Sequence, residues 1–163
     1  MIAMPLSEVA AAVGATTSPG GGATLVRRVS TDSRDVRPGD LFVAIRGERH
    51  DGHAFLRQAI DGGAVAVLVD RSGFETHCAF APLREARWVI VRDTVQALAQ
   101  LAAHHRAKVM DPATRVVAIT GTNGKTTTKG MIDHVLSSSL PGRASPRSFN
   151  NHIGVPLTLL SAE

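Results

Sequence analysis

The chain alternates between apolar positions at helical spacing and short unbroken apolar runs. Residues 6–13 repeat their apolar side chains at three- and four-residue intervals and stop at Gly14, as a helix C-terminus does. A glycine-rich stretch at 18–22 breaks the pattern, and residues 24–31 then read as a strand. Arg37, Pro38, Gly39 and Asp40 spell a turn, since proline presets its own φ and glycine permits a positive one. Residues 41–45 form a second strand, a polar loop covers 46–52, and a helix runs from 53 to 60 until Gly62 and Gly63 close it. Residues 64–69 are wholly apolar, the signature of a strand buried on both faces. Residues 70–87 show no period and read as loop; 88–91 is another short strand. Asp93 and Thr94 suit a helix start, and the apolar Val95, Leu98, Ala99, Leu101 and Ala102 carry that helix to about 108.

A second unit starts at Arg115. Residues 116–120 read as a buried strand, a glycine loop follows, and a helix runs from 126 to about 136. Pro141 and Gly142 break the chain, and the apolar pattern resumes at 153–160, with Pro156 tolerated in a first helical turn. The fold class is therefore α/β. Residues 1–90 are expected to form a small α/β domain, 91–114 a connecting helix and linker, and 115–163 the beginning of a second α/β domain. A doubly wound sheet needs several βα units, and about one and a half follow Arg115, so the second domain is expected to be truncated within this sequence.

Composition narrows the function classes. The 163 residues are 44% hydrophobic and 20% charged, which is ordinary for a globular chain, with only 4% aromatics and hence an aliphatic core. A net charge of +4 with no Lys/Arg-rich run argues against nucleic acid and suits small anions. The single cysteine, Cys78, excludes an internal disulfide and any multi-cysteine zinc site. The N-terminus lacks the form of a signal peptide, and no apolar run reaches membrane-spanning length, so a cytoplasmic setting without membrane insertion is expected.

The chemistry concentrates in the glycine loop. Thr120, Gly121, Thr122, Asn123, Gly124, Lys125, Thr126 and Thr127 lie between an apolar strand and a helix start. Glycines let successive backbone N–H groups curl toward phosphate oxygens, and the helix adds the positive end of its dipole. Lys125 supplies charge for the outer phosphates, and the Thr126 hydroxyl is the candidate metal ligand, for magnesium. The commoner loop places its first glycine five residues before Gly124, where this chain has Ile119; the shortened form has to be accounted for.

That form resembles the phosphate loop of the Mur ligases and folylpolyglutamate synthetases, which join an amino group to a carboxylate using ATP. Upstream, Ser30 to Arg34, Pro38 to Ala44, Gly47, Asp51 to His53 and Phe55 resemble the uridine-nucleotide-binding N-terminal domain of the later Mur ligases; the folate enzymes lack it. The run from Asn150 to Leu160 resembles the members that add D-alanyl-D-alanine, where those adding the third amino acid usually show a threonine pair at the two asparagines. The resemblance implies an uridine-nucleotide-binding domain followed by the start of a P-loop ATP-binding domain. It implies ATP and Mg2+ as cofactors, UDP-N-acetylmuramoyl-peptide and D-alanyl-D-alanine as substrates, an acyl-phosphate intermediate, peptidoglycan precursor synthesis, and a monomer. A ligase adding the third amino acid, and a non-catalytic uridine-nucleotide-binding fragment, are the alternatives.

On this reading Lys125 is the catalytic residue, and Gly121 through Thr127 hold the nucleotide. Ser33 and Arg34 offer a hydroxyl and a guanidinium fork suited to a diphosphate, and the resemblance places Ser33 at the uridine nucleotide. Arg34 and Asp32 equally suit a structural pair. Glu48, Arg49 and His50 occupy a loop that resembles another nucleotide-contacting stretch, or simply a solvated loop. Asn150 and Asn151 suit a peptide carboxylate or phosphate, or a turn. His53 reads as structural. His104 and His105 are adjacent on a helix and face apart, which makes a shared metal improbable.

Overall fold

The structure is a computed structural model and describes residues 3–48, 50–78, 86–109, 111–142, 144–145 and 151–162. Its centre is a five-stranded sheet. The short pair β1 (Met4–Pro5) and β3 (Leu25–Val26) runs antiparallel beside it. In the main sheet the order is β2 (Thr16–Thr17), β7 (Arg87–Val91), β6 (Ala66–Asp70), β5 (Asp40–Val43), β4 (Arg28–Ser30). β4 through β7 are parallel, and β2 joins the β7 edge antiparallel. Parallel strands require covered faces, which is why β5 is buried at all four positions and β6 at Ala66, Val67, Leu68 and Val69.

Alternation sorts these side chains into two layers. Leu41, Val43 and Leu68 face the helices α1 (Leu6–Ala12) and α4 (Thr94–His104), where Leu6, Val9, Leu98 and Leu101 are buried. Phe42, Ala44, Val67 and Val69 face α2 (Leu56–Asp61), with Phe74 and Trp88 packed alongside. Removing a buried leucine such as Leu98 would cost about 2–5 kcal/mol through lost transfer energy and the cavity left behind.

Several elements differ from the sequence expectation. The strand expected over 24–31 divides at Arg27, so β3 and β4 enter different sheets. β2, with two threonines, carries no apolar signal and was not expected. Residues 71–78, expected as loop, coil into α3 (Arg71–Gly73) and one π-helical turn (Phe74–Cys78). Gly73 permits this, because a Cβ there would meet the His53 ring at 2.0 Å. α4, placed in the connecting stretch by sequence, is core: Asp93 Oδ1 accepts from the Val95 and Gln96 N–H groups at its start, and Ala97, Leu98, Leu101 and Ala102 are buried.

Residues 115–163 are built differently. The strand expected over 116–120 is absent. Val116 and Val117 are 42% and 59% exposed. The physical reason is that a strand needs a neighbour for its N–H and C=O groups, and no described strand lies beside it. α5 (Lys125–Leu136) has no buried residue, and Met131 and Val135 are exposed. α6 (Gly154–Ser161) instead packs on α4 and β4, with Leu160 buried in the first core, and Pro156 sits in its first turn. No helix among the described residues is long and apolar enough to cross a membrane.

Candidate functional site

The phosphate loop has the backbone its glycines were expected to supply. Gly121 and Gly124 have φ of 145° and 77°, and Gly124 is the N-cap of α5 in the left-handed region. A side chain with a Cβ is strained at such an angle, so glycine at 124 follows from the geometry. No side chain caps the helix start. Its start carries the positive end of a 12-residue helix dipole. Lys125 folds back over the loop and donates from Nζ to the Gly121 carbonyl, with Thr122 O at 3.4 Å. An ammonium held across the loop's mouth is placed to exchange those carbonyls for phosphate oxygens. Thr122, Asn123, Thr126 and Thr127 are exposed beside it.

The residues fit a nucleoside triphosphate: a glycine curl, a helix start with no side-chain cap, and the Lys125 cation over the opening. The Thr126 hydroxyl stands at the second helical position and is the side chain here that would hold a magnesium ion accompanying the phosphates. No group of three or more His, Cys, Asp or Glu capable of holding a metal occurs among the described residues.

Ser33 and Arg34 follow β4, and Glu48 and His50 follow β5, at the carboxyl ends of these strands, the edge where α/β sheets present their ligands. After β4 the chain turns into a single 3-10 turn (Ser33–Asp35). Asp32 caps it, accepting from Arg34 N at 3.0 Å, and also takes a two-point grip from the Arg34 guanidinium, Nε at 2.9 Å and Nη2 at 2.7 Å. The Arg34 guanidinium and backbone N–H together hold the Asp32 carboxyl down at about 2. Asp32 and Arg34 thus pair with each other, the structural arrangement that was one of the two readings of their sequence. Ser33 Oγ donates to Gln58 Oε1 of α2 at 2.9 Å.

Beneath this turn Arg28 ties three parts together. It donates to buried Asp40, from Nε at 3.0 Å and Nη2 at 2.6 Å, and to Asp35 Oδ2 from Nη1 at 2.9 Å. Asp40 also accepts Arg37 N at 2.8 Å, which closes the turn before β5. The Asp40 hydrogen bond, aided by Asp35, raises the Arg28 pKa further above its already high range. This anchor was missed in the sequence; the cue was an arginine on a strand directly across from an aspartate, visible only once Arg28 and Asp40 are seen to be register partners.

After β5 the 46–51 loop closes on itself. Arg46 and Asp51 form an antiparallel bridge, Gly47 N donates to His50 O at 2.9 Å, and Gly52 N donates to Ile45 O at 2.9 Å. Glu48 and His50 are exposed at its tip, and Arg49 lies outside the described residues. His53 has the structural part expected of it. It is buried, accepts Asp70 N at Nε2, and so donates from Nδ1 to Asp51 Oδ1 at 2.6 Å. Asn151 Oδ1 accepts from Gly154 N at 2.7 Å and Ile153 N at 3.2 Å, a capping arrangement at the start of α6. Its neighbour Asn150 lies outside the described residues.

Residues 25–106 match the Mur ligase family, catalytic domain, and residues 119–163 match the Mur ligase middle domain. The chain belongs to the Mur ligase family. A relative from Bacillus subtilis (strain 168), UDP-N-acetylmuramoyl-tripeptide--D-alanyl-D-alanine ligase, is 43% identical over 138 residues, 85% of this chain and 28% of its own length. MurF from Acinetobacter baumannii superposes with a TM-score of 0.83 at 31% identity, over 99% of this chain and 33% of that one. MurF ligase from Thermotoga maritima, solved in complex with ADP, gives a TM-score of 0.66 at 33% identity, over 83% of this chain and 29% of that one. The chain therefore spans about a third or less of the length of these Mur ligases. The shortened phosphate loop lies where the match to the middle domain begins, at residue 119.

Proposed function

We propose that this chain supplies the uridine-nucleotide-binding unit and the ATP phosphate loop of a ligase that joins D-alanyl-D-alanine to UDP-N-acetylmuramoyl-tripeptide in peptidoglycan precursor synthesis. The observation that carries the reading is the uncapped, lysine-covered glycine loop at the head of α5, in a chain 43% identical to a ligase of that name. We place the first unit at residues up to about 109, because α4 belongs to its core, and the second from about 115 onward.

ATP, when bound, supplies the phosphoryl group that activates the peptide carboxylate. Lys125 and the N–H groups of 121–126 bind and orient its phosphates, and offset the charge that builds on their oxygens. Thr126 is the magnesium ligand of this chain. Ser33, with Arg34 and the 48–50 loop, receives the uridine nucleotide; the Gln58 bond holds the Ser33 hydroxyl at the sheet edge until a ligand competes for it. Asn151, with Asn150, orients the peptide end, its backbone fixed by the α6 cap. The setting is cytoplasmic and the working unit a monomer, with no nucleic-acid partner.

The test is ligation by a full-length relative carrying this segment. Pentapeptide nucleotide is expected from the tripeptide nucleotide, D-alanyl-D-alanine, ATP and magnesium. Lys125→Ala is expected to lower turnover by at least a hundredfold, on the order of several kcal/mol of lost electrostatic stabilisation, while the uridine nucleotide still binds. Near-normal turnover would remove Lys125 from the mechanism.

A further inference from the structure

We propose that the carboxyl ends of β5, β6 and β7 hold a phosphate-binding subsite, a row of three guanidiniums that takes a phosphate or diphosphate group. The row follows from register. Val43 pairs with Leu68 and Asp70 with Val91. Carried one to three residues further, the same register sets Arg46, Arg71 and Arg92 side by side past the ends of three adjacent parallel strands. All three line an open cleft of about 750 Å³, together with Asp70, Ser72 and Val13. That volume suits a small-molecule site, and strand carboxyl ends are where such sheets bind.

The charges in the cleft do not cancel. Asp70, the one carboxylate lining it, is already engaged by Arg46 at 2.9 and 3.2 Å and by Gly73 N at 2.7 Å. Burial opposes ionisation of Asp70, but the Arg46 and Gly73 bonds outweigh it and lower its pKa. Arg46 is held from its other side by Asp51 at 3.3 Å, so its guanidinium is fixed. Arg71 and Arg92 are exposed, and neither has an ion pair or side-chain hydrogen bond among the described residues. One pinned and two unpaired guanidiniums, with Ser72 lining the same cleft, match a phosphate's several acceptor oxygens, which arginine takes in pairs.

This inference rests on the proposed nucleotide reading only for the source of the anion. Arg46 lines the cleft and opens the 46–51 loop given to the uridine nucleotide, so the anion is either that nucleotide's diphosphate or a free anion that fills the subsite alone.

The experiment is calorimetry with inorganic pyrophosphate at low salt on the whole chain carrying Lys125→Ala, so that the glycine loop at 121–126 does not contribute. Binding is expected, and at least tenfold weaker in Arg71→Gln/Arg92→Gln, whose thermal midpoint should match the parent because both side chains are exposed. Arg27→Gln/Arg106→Gln, two exposed arginines outside the cleft, should bind as the parent does. Ser33→Ala should leave pyrophosphate binding intact even if it abolishes that of UDP, which separates failure of the nucleotide reading from failure of the subsite. Competition between UDP and pyrophosphate would support the subsite and assign it to the nucleotide's diphosphate; independent binding would support it as a site for a free anion. Absence of pyrophosphate binding, equal binding by the cleft double variant, or equal losses in the two double variants would overturn it.

Discussion

Arg28→Met removes the anchor beneath the Ser33 turn and exposes how much of the main sheet depends on the ion pairs of one arginine. The Asp40 side chain is 3% exposed and that of Arg28 34%. Stripping one partner from a fully buried pair costs about 3–5 kcal/mol, because the remaining charge is left without compensation. Two features reduce that figure here. Arg28 is a third exposed, so solvent already screens part of the interaction. Asp40 also keeps the Arg37 N–H after the substitution. About 2 kcal/mol is the expected loss, or roughly 4–8 °C in midpoint for a chain of this size. Trp88, the single tryptophan, packs 5.0 Å from Phe74 between ring centroids and reports unfolding by fluorescence in urea. The double variant Arg28→Met/Asp40→Leu should recover part of the loss, since no buried carboxylate then remains. A loss under about 0.5 kcal/mol for Arg28→Met, the range of ordinary surface changes, would refute the reasoning.

Two further outcomes follow from the helices. Asp93→Ala should lower stability by about 1 kcal/mol, read by urea titration, because both first-turn N–H groups of α4 lose their acceptor. His105 is buried against α6, with Nε2 donating to Ala162 O at 3.0 Å and Nδ1 without a partner among the described residues, and burial, aided by nearby His104, lowers its pKa below 6.5. A depressed folded pKa means its contribution is full above pH 6.5 and lost as pH falls through that value toward the folded one. Thermal midpoints between pH 7.5 and 5.5 should therefore fall more for the parent than for His105→Gln; equal slopes would count against it.

The first sheet was legible because its strands are runs of valine, leucine and alanine buried on both faces, a pattern few other structures need. α4 was legible from Asp93 and the spacing of Leu98 and Leu101. β2 escaped because two threonines at an edge carry no periodic signal. The 71–78 coil escaped because its shape depends on Gly73 lying against His53, a contact across 20 residues. Residues 116–120 have the apolar run of a strand, but a run is only half of a ladder, and no described strand completes it. The turn at 121–126 could be read directly, since its backbone follows from Gly121 and Gly124 themselves. The Arg28 anchor and the arginine row could not, because each joins residues from different strands whose register the sequence does not state.

The most direct test of the account is a two-ligand titration. The whole chain should bind UDP-N-acetylmuramoyl-tripeptide and, separately, ADP with magnesium, followed by calorimetry. Ser33→Ala should weaken the uridine nucleotide at least tenfold and leave ADP unchanged, while Lys125→Ala should do the reverse. Loss of both ligands in either variant with the fold intact, or binding of neither by the parent, would contradict the assignment of two nucleotide sites to this chain.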